Sequence, residues 1–216
     1  MIKAVIFDMD GVIADTEPLH EQARNMILRK YDLDVERLSP EAIGRSKRVF
    51  WKDITERFHL GVSEDVLTKY EFELILQIAK ETKLRPMRGI TELLDYLKEH
   101  KIKIAVASSS DRNYVEQILQ ITELSDKFSV ISCGNEVAKA KPSPDVYLDA
   151  LAKLKLNGND VFAVEDSDTG AAAACAAGIE CIGYDAEEVG VRQSLSRCFT
   201  VVNDMTKIIG VVAANA

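Results

Sequence analysis

Short apolar runs that end in polar residues recur along the chain at the spacing of a parallel sheet. The first run, residues 2–7, is rich in β-branched and aromatic side chains and ends abruptly at an acid, which is typical of a buried strand. Helical patterns of about a dozen residues separate most of the later runs, which predicts an α/β fold with a parallel sheet. These later runs are residues 102–107, 128–132, 161–164, 179–183 and, more weakly, 199–202.

The series of strand-like runs is interrupted between residues 16 and 84, where only helical patterns occur. Two sets of apolar residues each share one helix face, and they are Leu19, Ala23, Met26 and Ile27, then Leu67, Tyr70, Leu74 and Ile78. This predicts an inserted α-helical cap over 16–84, with Arg85-Pro86 marking the return to a core of residues 1–15 and 85–216. An insertion after a strand's carboxyl end stands over the ligand position of α/β folds, so the cap is a candidate lid.

Several helix ends carry local signals. Ser143 is a candidate N-cap with Pro144 at the first helical position, and Ser167 is a candidate N-cap of the helix that runs through Ala177. Gly178 is expected to close that helix. Ser110 is predicted to cap the helix that starts at Asp111.

Two carboxylates follow the first predicted strand. Asp8 and Asp10 lie two residues apart at its carboxyl end, and Gly11 allows the chain to turn away tightly. Such a pair also occurs in solvated turns. On its own, therefore, this segment is compatible with a functional site and with an ordinary turn.

A second acidic pair, Glu165-Asp166, ends the run 161–164. Acids at this place also favour the start of a helix without any catalytic role. If both strands are central and parallel, however, four carboxylates converge on one edge of the sheet and repel one another unless a cation or proton intervenes. Hard oxygen ligands without histidine favour Mg²⁺, so we prefer a magnesium site.

Two further polar residues occur at predicted strand–helix junctions. Lys141 begins the segment Lys-Pro-Ser-Pro-Asp, whose prolines stiffen the loop, and it could neutralise the acids or hold a phosphoryl oxygen. A lone lysine is otherwise a solvated surface residue. Ser108 ends the run from Ile102 and could donate a hydrogen bond to a bound oxyanion.

Composition narrows the range of partners. The apolar share of 47% is that of a folded globular protein, and 27 basic against 35 acidic side chains give a net charge of −8. We therefore expect neither nucleic acid nor an anionic membrane surface as a partner. With an acid at position 8, no long apolar run and four scattered cysteines, we expect a cytoplasmic protein without a signal sequence, and a monomer because no exposed apolar stripe is evident.

The order of these motifs resembles the haloacid dehalogenase superfamily. The residues that carry the resemblance are the Asp-Met-Asp-Gly segment at 8–11, Ser108, the segment 141–145 and Glu-Asp-Ser at 165–167. Phe7 to Val12, followed by Asp-Thr-Glu-Pro at 15–18 and a helical insertion, is similar to the β-phosphoglucomutase-like branch, which includes sugar-phosphate phosphatases. The resemblance covers essentially the whole chain. It implies a Rossmann-like core and Mg²⁺-dependent phosphoryl transfer through an aspartyl-phosphate.

The resemblance also implies roles for the first two acids. Asp8 would be the nucleophile and a metal ligand. Asp10 would protonate the leaving oxygen, then activate the acceptor as a base, and bind Mg²⁺ through its backbone carbonyl. The related dehalogenases work without Mg²⁺ and generally lack the second acid, so Asp10 favours a phosphate ester as the substrate.

The remaining motif residues complete the implied site. Ser108 and Lys141 would hold the transferring phosphoryl group, and Glu165 and Asp166 would complete the metal site. These roles agree with the needs of phosphoryl transfer, which are positioning and charge neutralisation.

The substrate is expected to be a small phosphorylated metabolite selected by the cap. The segment from Arg45 to Lys52 places four cations in eight residues beside the only tryptophan. One interpretation is a basic patch that attracts the non-reacting part of an anionic substrate. The alternative is an exposed basic helix start with Phe50 or Trp51 packed inside the cap. Related mutases carry an arginine for the distal phosphate at the position of Lys47, and a histidine at that of His20, for which local bonding is an equal alternative. The residues we expect to contact substrate are His20, Gly44, Lys47, Arg48 and Ser109.

Two enzyme activities remain open at this point. The first is a Mg²⁺-dependent phosphatase acting on a sugar phosphate, and the second is a β-phosphoglucomutase that interconverts β-glucose 1-phosphate and glucose 6-phosphate. The mutases have a lysine shortly after the serine, where this chain has Asp111. A carboxylate there would repel a second phosphate, which favours the phosphatase.

Overall fold

The chain folds into two compact units. The computed structural model describes residues 1–43, 45–186 and 194–215. One unit consists of Met1–Asp15 and Leu84–Ala216, and the other of Thr16–Lys83. Leu84, which we assigned to the helical insertion, therefore falls within the first unit.

A single parallel sheet forms the centre of the first unit. In the described part of the chain it has the strand order β3-β2-β1-β4-β5-β6, and every pairing is parallel. The six runs predicted from sequence are the six strands, so the predicted α/β, Rossmann-like fold is confirmed. The strands are β1 (Ala4–Phe7), β2 (Lys103–Ser108), β3 (Val130–Cys133), β4 (Val161–Glu165), β5 (Glu180–Tyr184) and β6 (Thr200–Val202).

Helices of the first unit cover the sheet. They are α5 (Ile90–Glu99), α6 (Arg112–Ile121), α7 (Asp145–Leu154), α8 (Asp168–Ala176) and α9 (Lys207–Ala213). α7 and α8 pack on one face through a core of small residues, among them Ala4, Ala105 and Ala163. Small side chains allow these helices to approach the sheet closely. β1 is buried at all four positions, as expected for a central parallel strand.

The second unit is helical. Its helices are α1 (Glu17–Lys30), α2 (Val35–Leu38), α3 (Lys47–Phe58) and α4 (Glu64–Thr82), and a 3₁₀ turn spans Ser39–Ala42. α4 packs against α1 and α3, and Phe50 and Trp51 are both buried. The prediction was wrong for Met26, which is 41% exposed, because the buried face of α1 passes through Leu28 instead.

The helix ends agree with the sequence signals in part. Ser167 caps α8 by accepting a hydrogen bond from the Gly170 amide, and Gly178 has a φ of 75°, as predicted. The prediction for Ser143 was wrong, since Pro144 is the N-cap of α7 and the Ser143 hydroxyl donates to Asp145 Oδ1 over 2.6 Å. Within the described residues, none of the helices combines the length and apolarity needed to cross a bilayer.

Candidate active site

Asp8 lies where three neighbouring strands end together. It directly follows β1, and the parallel register of β1 with β4 brings Asp8 level with Glu165. The Asp8 amide donates to the carbonyl of Val164 over 3.0 Å, and the residue is 9% exposed. The carboxylate is thus held at the carboxyl edge of the sheet, beside the ends of β2 and β4.

Lys141 connects the acids of this edge. Its Nζ donates to Asp8 Oδ1 over 2.5 Å, to Glu165 Oε1 over 2.6 Å and to the carbonyl of Ala107 over 2.9 Å. The side chain is 6% exposed, and it precedes a cis peptide bond to Pro142. These partners account for all three ammonium donors, so Lys141 is a fixed counter-charge in the site.

Glu165 is bound on both of its carboxylate oxygens. Oε1 accepts a hydrogen bond from the Tyr147 hydroxyl over 2.6 Å in addition to the one from Lys141. Oε2 accepts from Ser167 Oγ over 3.3 Å. A Cβ on Gly170 would collide with this carboxylate, so a larger residue at this position of α8 would force the Glu165 side chain to move.

Three carboxylates can meet at one point. Oxygens of Asp8, Glu165 and Asp166 lie within 4.8 Å of one another, whereas Lys141 supplies a single positive charge to the group. A Cβ on Gly11 would collide with the Asp166 carboxylate, so the glycine after Asp10 lets the β1 loop pass close to it. Hard oxygen donors with an excess of negative charge fit a divalent cation such as Mg²⁺.

The electrostatics of the group point the same way. Burial raises the pKa of Asp8 to about 7, opposed by Lys141 and reinforced by Glu165 and Asp10. Burial, together with Asp8 and Glu165, raises the pKa of Asp166 to about 8. Burial alone would lower the pKa of Lys141, but Asp8 and Glu165 outweigh it and the pKa is raised. The raised pKa values of Asp8 and Asp166 therefore favour their protonated forms near neutral pH unless a further cation is present.

The Asp10 carboxylate is held on the β2 side of the site. Its Oδ2 accepts a hydrogen bond from Ser110 Oγ over 3.2 Å, and its Oδ1 accepts one from the Tyr114 hydroxyl over 3.1 Å. Ser108 is buried, and its Oγ accepts from the Ser110 amide over 3.1 Å. Among the residues that the structure describes, the Ser108 hydroxyl has no acceptor for its own proton, so it can donate that proton to a ligand.

Sequence reasoning missed three residues of this site. Ser110 was predicted to cap α6, but Asp111 is the N-cap and α6 begins at Arg112. Tyr114 and Tyr147 are absent from the sequence-based prediction, although both are buried and their hydroxyls bind site carboxylates. A polar tip on an otherwise core-facing helix position was the available signal.

The expected substrate-contacting residues fall in different surroundings. Ser109 is exposed next to Ser108, and His20 is buried in the helical unit at 4% exposure. Arg48 pairs with Asp65 over 3.1 Å on the surface. In the described part of the chain Lys47 has no ion pair, and its Nζ lies 5.0 Å from the centre of the Phe72 ring. Gly44 lies outside the described residues.

Comparison with known protein families identifies the family of this chain. The family model of the haloacid dehalogenase-like hydrolases matches residues 5–184. The chain belongs to this family. It is accordingly an enzyme, and its parallel sheet is that of the haloacid dehalogenase-like fold.

Individual relatives of this hydrolase include phosphatases and a mutase. It is 33% identical over 180 residues to the phosphorylated carbohydrates phosphatase of Thermotoga maritima, and the aligned region covers 83% of each protein. It is 33% identical over 189 residues to the β-phosphoglucomutase of Bacillus subtilis, and the aligned region covers 84% of this chain and 83% of that protein. The crystal structure of CbbY from Rhodobacter sphaeroides in complex with xylulose-(1,5)-bisphosphate has a TM-score of 0.82 at 25% identity over 96% of both chains.

Proposed function

We propose that this hydrolase removes the phosphoryl group from a small phosphomonoester, a sugar phosphate, through an aspartyl-phosphate. The observation that carries the proposal is the Asp8 carboxylate at the sheet edge, 2.5 Å from a buried lysine and grouped with two further carboxylates. An oxygen nucleophile surrounded by fixed charges meets the needs of phosphoryl transfer.

The proposed reaction has two steps. In the first, Asp8 attacks phosphorus, the bond from phosphorus to the leaving oxygen breaks, and Asp10 gives that oxygen its proton. In the second, Asp10 takes a proton from water as the water oxygen attacks phosphorus, which returns Asp8 as a carboxylate and releases inorganic phosphate. Lys141 and Ser108 would hold the phosphoryl oxygens in both steps.

The chain offers a suitable set of ligands for Mg²⁺. We propose that Asp8, Glu165, Asp166 and the backbone carbonyl of Asp10 hold the ion, which when bound neutralises charge on the phosphoryl group. The excess of carboxylates over Lys141 supports this assignment. Because both oxygens of Glu165 already accept hydrogen bonds from protein groups, we expect Asp166 to contribute more to metal affinity.

The names of the relatives support a phosphorylated sugar as the substrate. One relative is a phosphatase of phosphorylated carbohydrates, and the CbbY structure contains a sugar bisphosphate. Within the helical unit we propose Lys47 as the contact to the non-reacting part of the substrate, since its neighbour Arg48 is already paired with an acid. Gly44, Ser109 and His20 remain predicted contacts.

A mutase activity is the second candidate because of the β-phosphoglucomutase relative. A mutase must hold a second phosphate, and the residues after the β2 serines are poorly suited to this. Asp111 is acidic, and Arg112 is bound by Glu136, by Glu116 over 3.2 Å and by the carbonyl of Ile131 over 2.8 Å. With its guanidinium engaged in this way, Arg112 has little capacity for a distal phosphate, which favours the phosphatase.

Phosphate release from a panel of phosphomonoesters tests the proposal. The panel contains sugar phosphates, nucleotides and pyrophosphate, each assayed with Mg²⁺ and with EDTA. We expect Mg²⁺-dependent release from a sugar phosphate and loss of release in Asp8→Asn. Conversion of β-glucose 1-phosphate to glucose 6-phosphate without net release would select the mutase, and release that survives Asp8→Asn would refute the aspartyl-phosphate.

A further inference from the structure

Two hydroxyl groups hold the carboxylate that would transfer the proton. Ser110 Oγ binds Asp10 Oδ2 over 3.2 Å, and the Tyr114 hydroxyl binds Asp10 Oδ1 over 3.1 Å. We infer that Tyr114 is a positioning residue that, with Ser110, sets the orientation of Asp10 for proton transfer to the leaving group. This inference rests on the proposed function and adds a determinant to it.

The two donors are themselves fixed in place. Tyr114 is the third residue of α6, and its side chain is among the largest fully buried ones, at 2% exposure. Ser110 is 7% exposed, and its amide is bound to Ser108 Oγ. Since each carboxylate oxygen receives a separate donor, both the position and the plane of the carboxylate are defined.

The chemical type of the donors suits a group that gains and loses a proton. The fixed cation Lys141 binds Asp8 and Glu165, and two of the groups that bind the Asp10 carboxylate are neutral hydroxyls. A hydroxyl donates to an ionised carboxylate and accepts from a protonated one. Tyr114 and Ser110 can therefore keep Asp10 in place in both of the forms that the proposed reaction requires.

A purely structural role for Tyr114 makes a different prediction. Loss of packing or stability would slow all substrates to the same degree. Loss of proton transfer to the leaving group would lower kcat/KM only for substrates with a poor leaving group, since an alkoxide needs a proton on departure and a nitrophenolate does not. The water step, which Asp10 also serves, is common to both substrates and follows the step that kcat/KM reports. The ratio of kcat/KM between two such substrates therefore separates the two roles.

The experiment compares the best sugar phosphate of the panel with p-nitrophenyl phosphate. For Tyr114→Phe we expect kcat/KM to fall about tenfold with the sugar phosphate and less than twofold with the aryl ester, as for loss of one hydrogen bond to a charged group. Ser110→Ala should show the same split if Tyr114→Phe does not fold. Tyr96→Phe, on α5 with its ring stacked on His100 at 4.0 Å, is the matched control and should change neither value.

A second measurement tests whether Tyr114 acts through Asp10. In an Asp10→Ala background, Tyr114→Phe should cause no further loss with either substrate, because the coupling between the two residues is gone. Equal losses on both substrates, no loss at all, or an additive loss in this background would overturn the inference while leaving the proposed function intact. Failure of the wild type to release phosphate from either ester would instead refute the function itself, and the inference with it.

Discussion

The Lys141 ammonium lies 2.5 Å from Asp8 Oδ1 and 2.6 Å from Glu165 Oε1, so one buried cation serves two buried carboxylates. The three residues come from separate parts of the chain: the end of β1, the loop before α7 and the end of β4. Because Asp8 is 12% and Glu165 0% exposed at the side chain, solvent cannot replace the lysine. Loss of the lysine would therefore leave buried negative charge without its partner.

Replacement of Lys141 by methionine should destabilise the fold. Removal of one member of a buried ion cluster leaves uncompensated charge, which costs about 3 kcal/mol or more in free energy of unfolding. Urea denaturation in EDTA measures this loss, and Mg²⁺ should restore part of it because a cation again faces the acids. Phosphate release should fall at least 100-fold.

Lys127→Met is the matched control for this change. Lys127 pairs with Asp95 over 2.6 Å, but the aspartate side chain is 51% exposed. Such surface pairs contribute roughly 0–1 kcal/mol, so the variant should unfold close to the wild type. Equal stability of Lys141→Met and the wild type in EDTA would contradict the prediction.

The two adjacent acids at the end of β4, Glu165 and Asp166, should differ in their effect on metal binding. Asp166→Asn removes a carboxylate whose pKa is raised to about 8 by burial and by its acidic neighbours. Glu165→Gln changes a carboxylate already bound by Lys141, Tyr147 and Ser167. The Mg²⁺ concentration for half-maximal phosphate release should therefore rise more in Asp166→Asn, and the opposite order would make Glu165 the dominant ligand.

The sheet could be predicted from the sequence alone, but part of the site could not. Apolar runs reveal strands because parallel strands are buried on both faces, and acids at the strand ends stand out against such runs. The roles of Ser110 and Tyr114 depend on contacts with Asp10, which lies 100 and 104 positions earlier in the chain. A serine before a helix has the same local signal whether it caps the helix or binds a distant carboxylate, so only the fold distinguishes the two.

Burial within the helical unit was hard to predict for a related reason. Glu71 lies on the buried face of α4 at 1% exposure, where its Oε2 accepts a hydrogen bond from Trp51 Nε1 over 2.5 Å. A glutamate in an amphipathic helix predicts a solvated position. Its burial depends on a donor twenty residues away, which helical periodicity does not reveal.

Two glycine-to-alanine changes should have opposite effects on stability. Alanine at Gly210 in α9 meets nothing within 4 Å, so the gain in helix propensity should stabilise the protein by roughly 0.5–1 kcal/mol. Alanine at Gly170 in α8 would collide with the Glu165 carboxylate and should destabilise by about 1–3 kcal/mol. It should also reduce phosphate release, since Glu165 would be displaced from Lys141.

Urea denaturation and the phosphate assay measure both effects. Gly210→Ala serves as the matched control, because the substitution is the same and the site is remote from the acids. A stabilising Gly170→Ala with full activity would contradict the proposed packing of α8 against Glu165.

Stabilisation by Mg²⁺ should increase with pH between about 5 and 8. The pKa values of Asp8 and Asp166 are about 7 and about 8 in the folded protein, against 3.8 for a free aspartate. The metal-free folded state thus holds protons that the unfolded chain has already released, and it loses stability as pH rises through this window. Mg²⁺ competes with those protons, so its benefit should grow over the window and level off above about pH 8.

Thermal unfolding with Mg²⁺ and with EDTA at several pH values measures this benefit. Titrating groups remote from the cluster contribute equally under both conditions, so their contributions cancel in the difference in Tm. This difference should be smallest near pH 5 and largest near pH 8. Asp166→Asn should reduce the slope, because one of the two titrating carboxyls is then absent. A difference in Tm that stays constant with pH would show that protons and Mg²⁺ do not compete for this cluster.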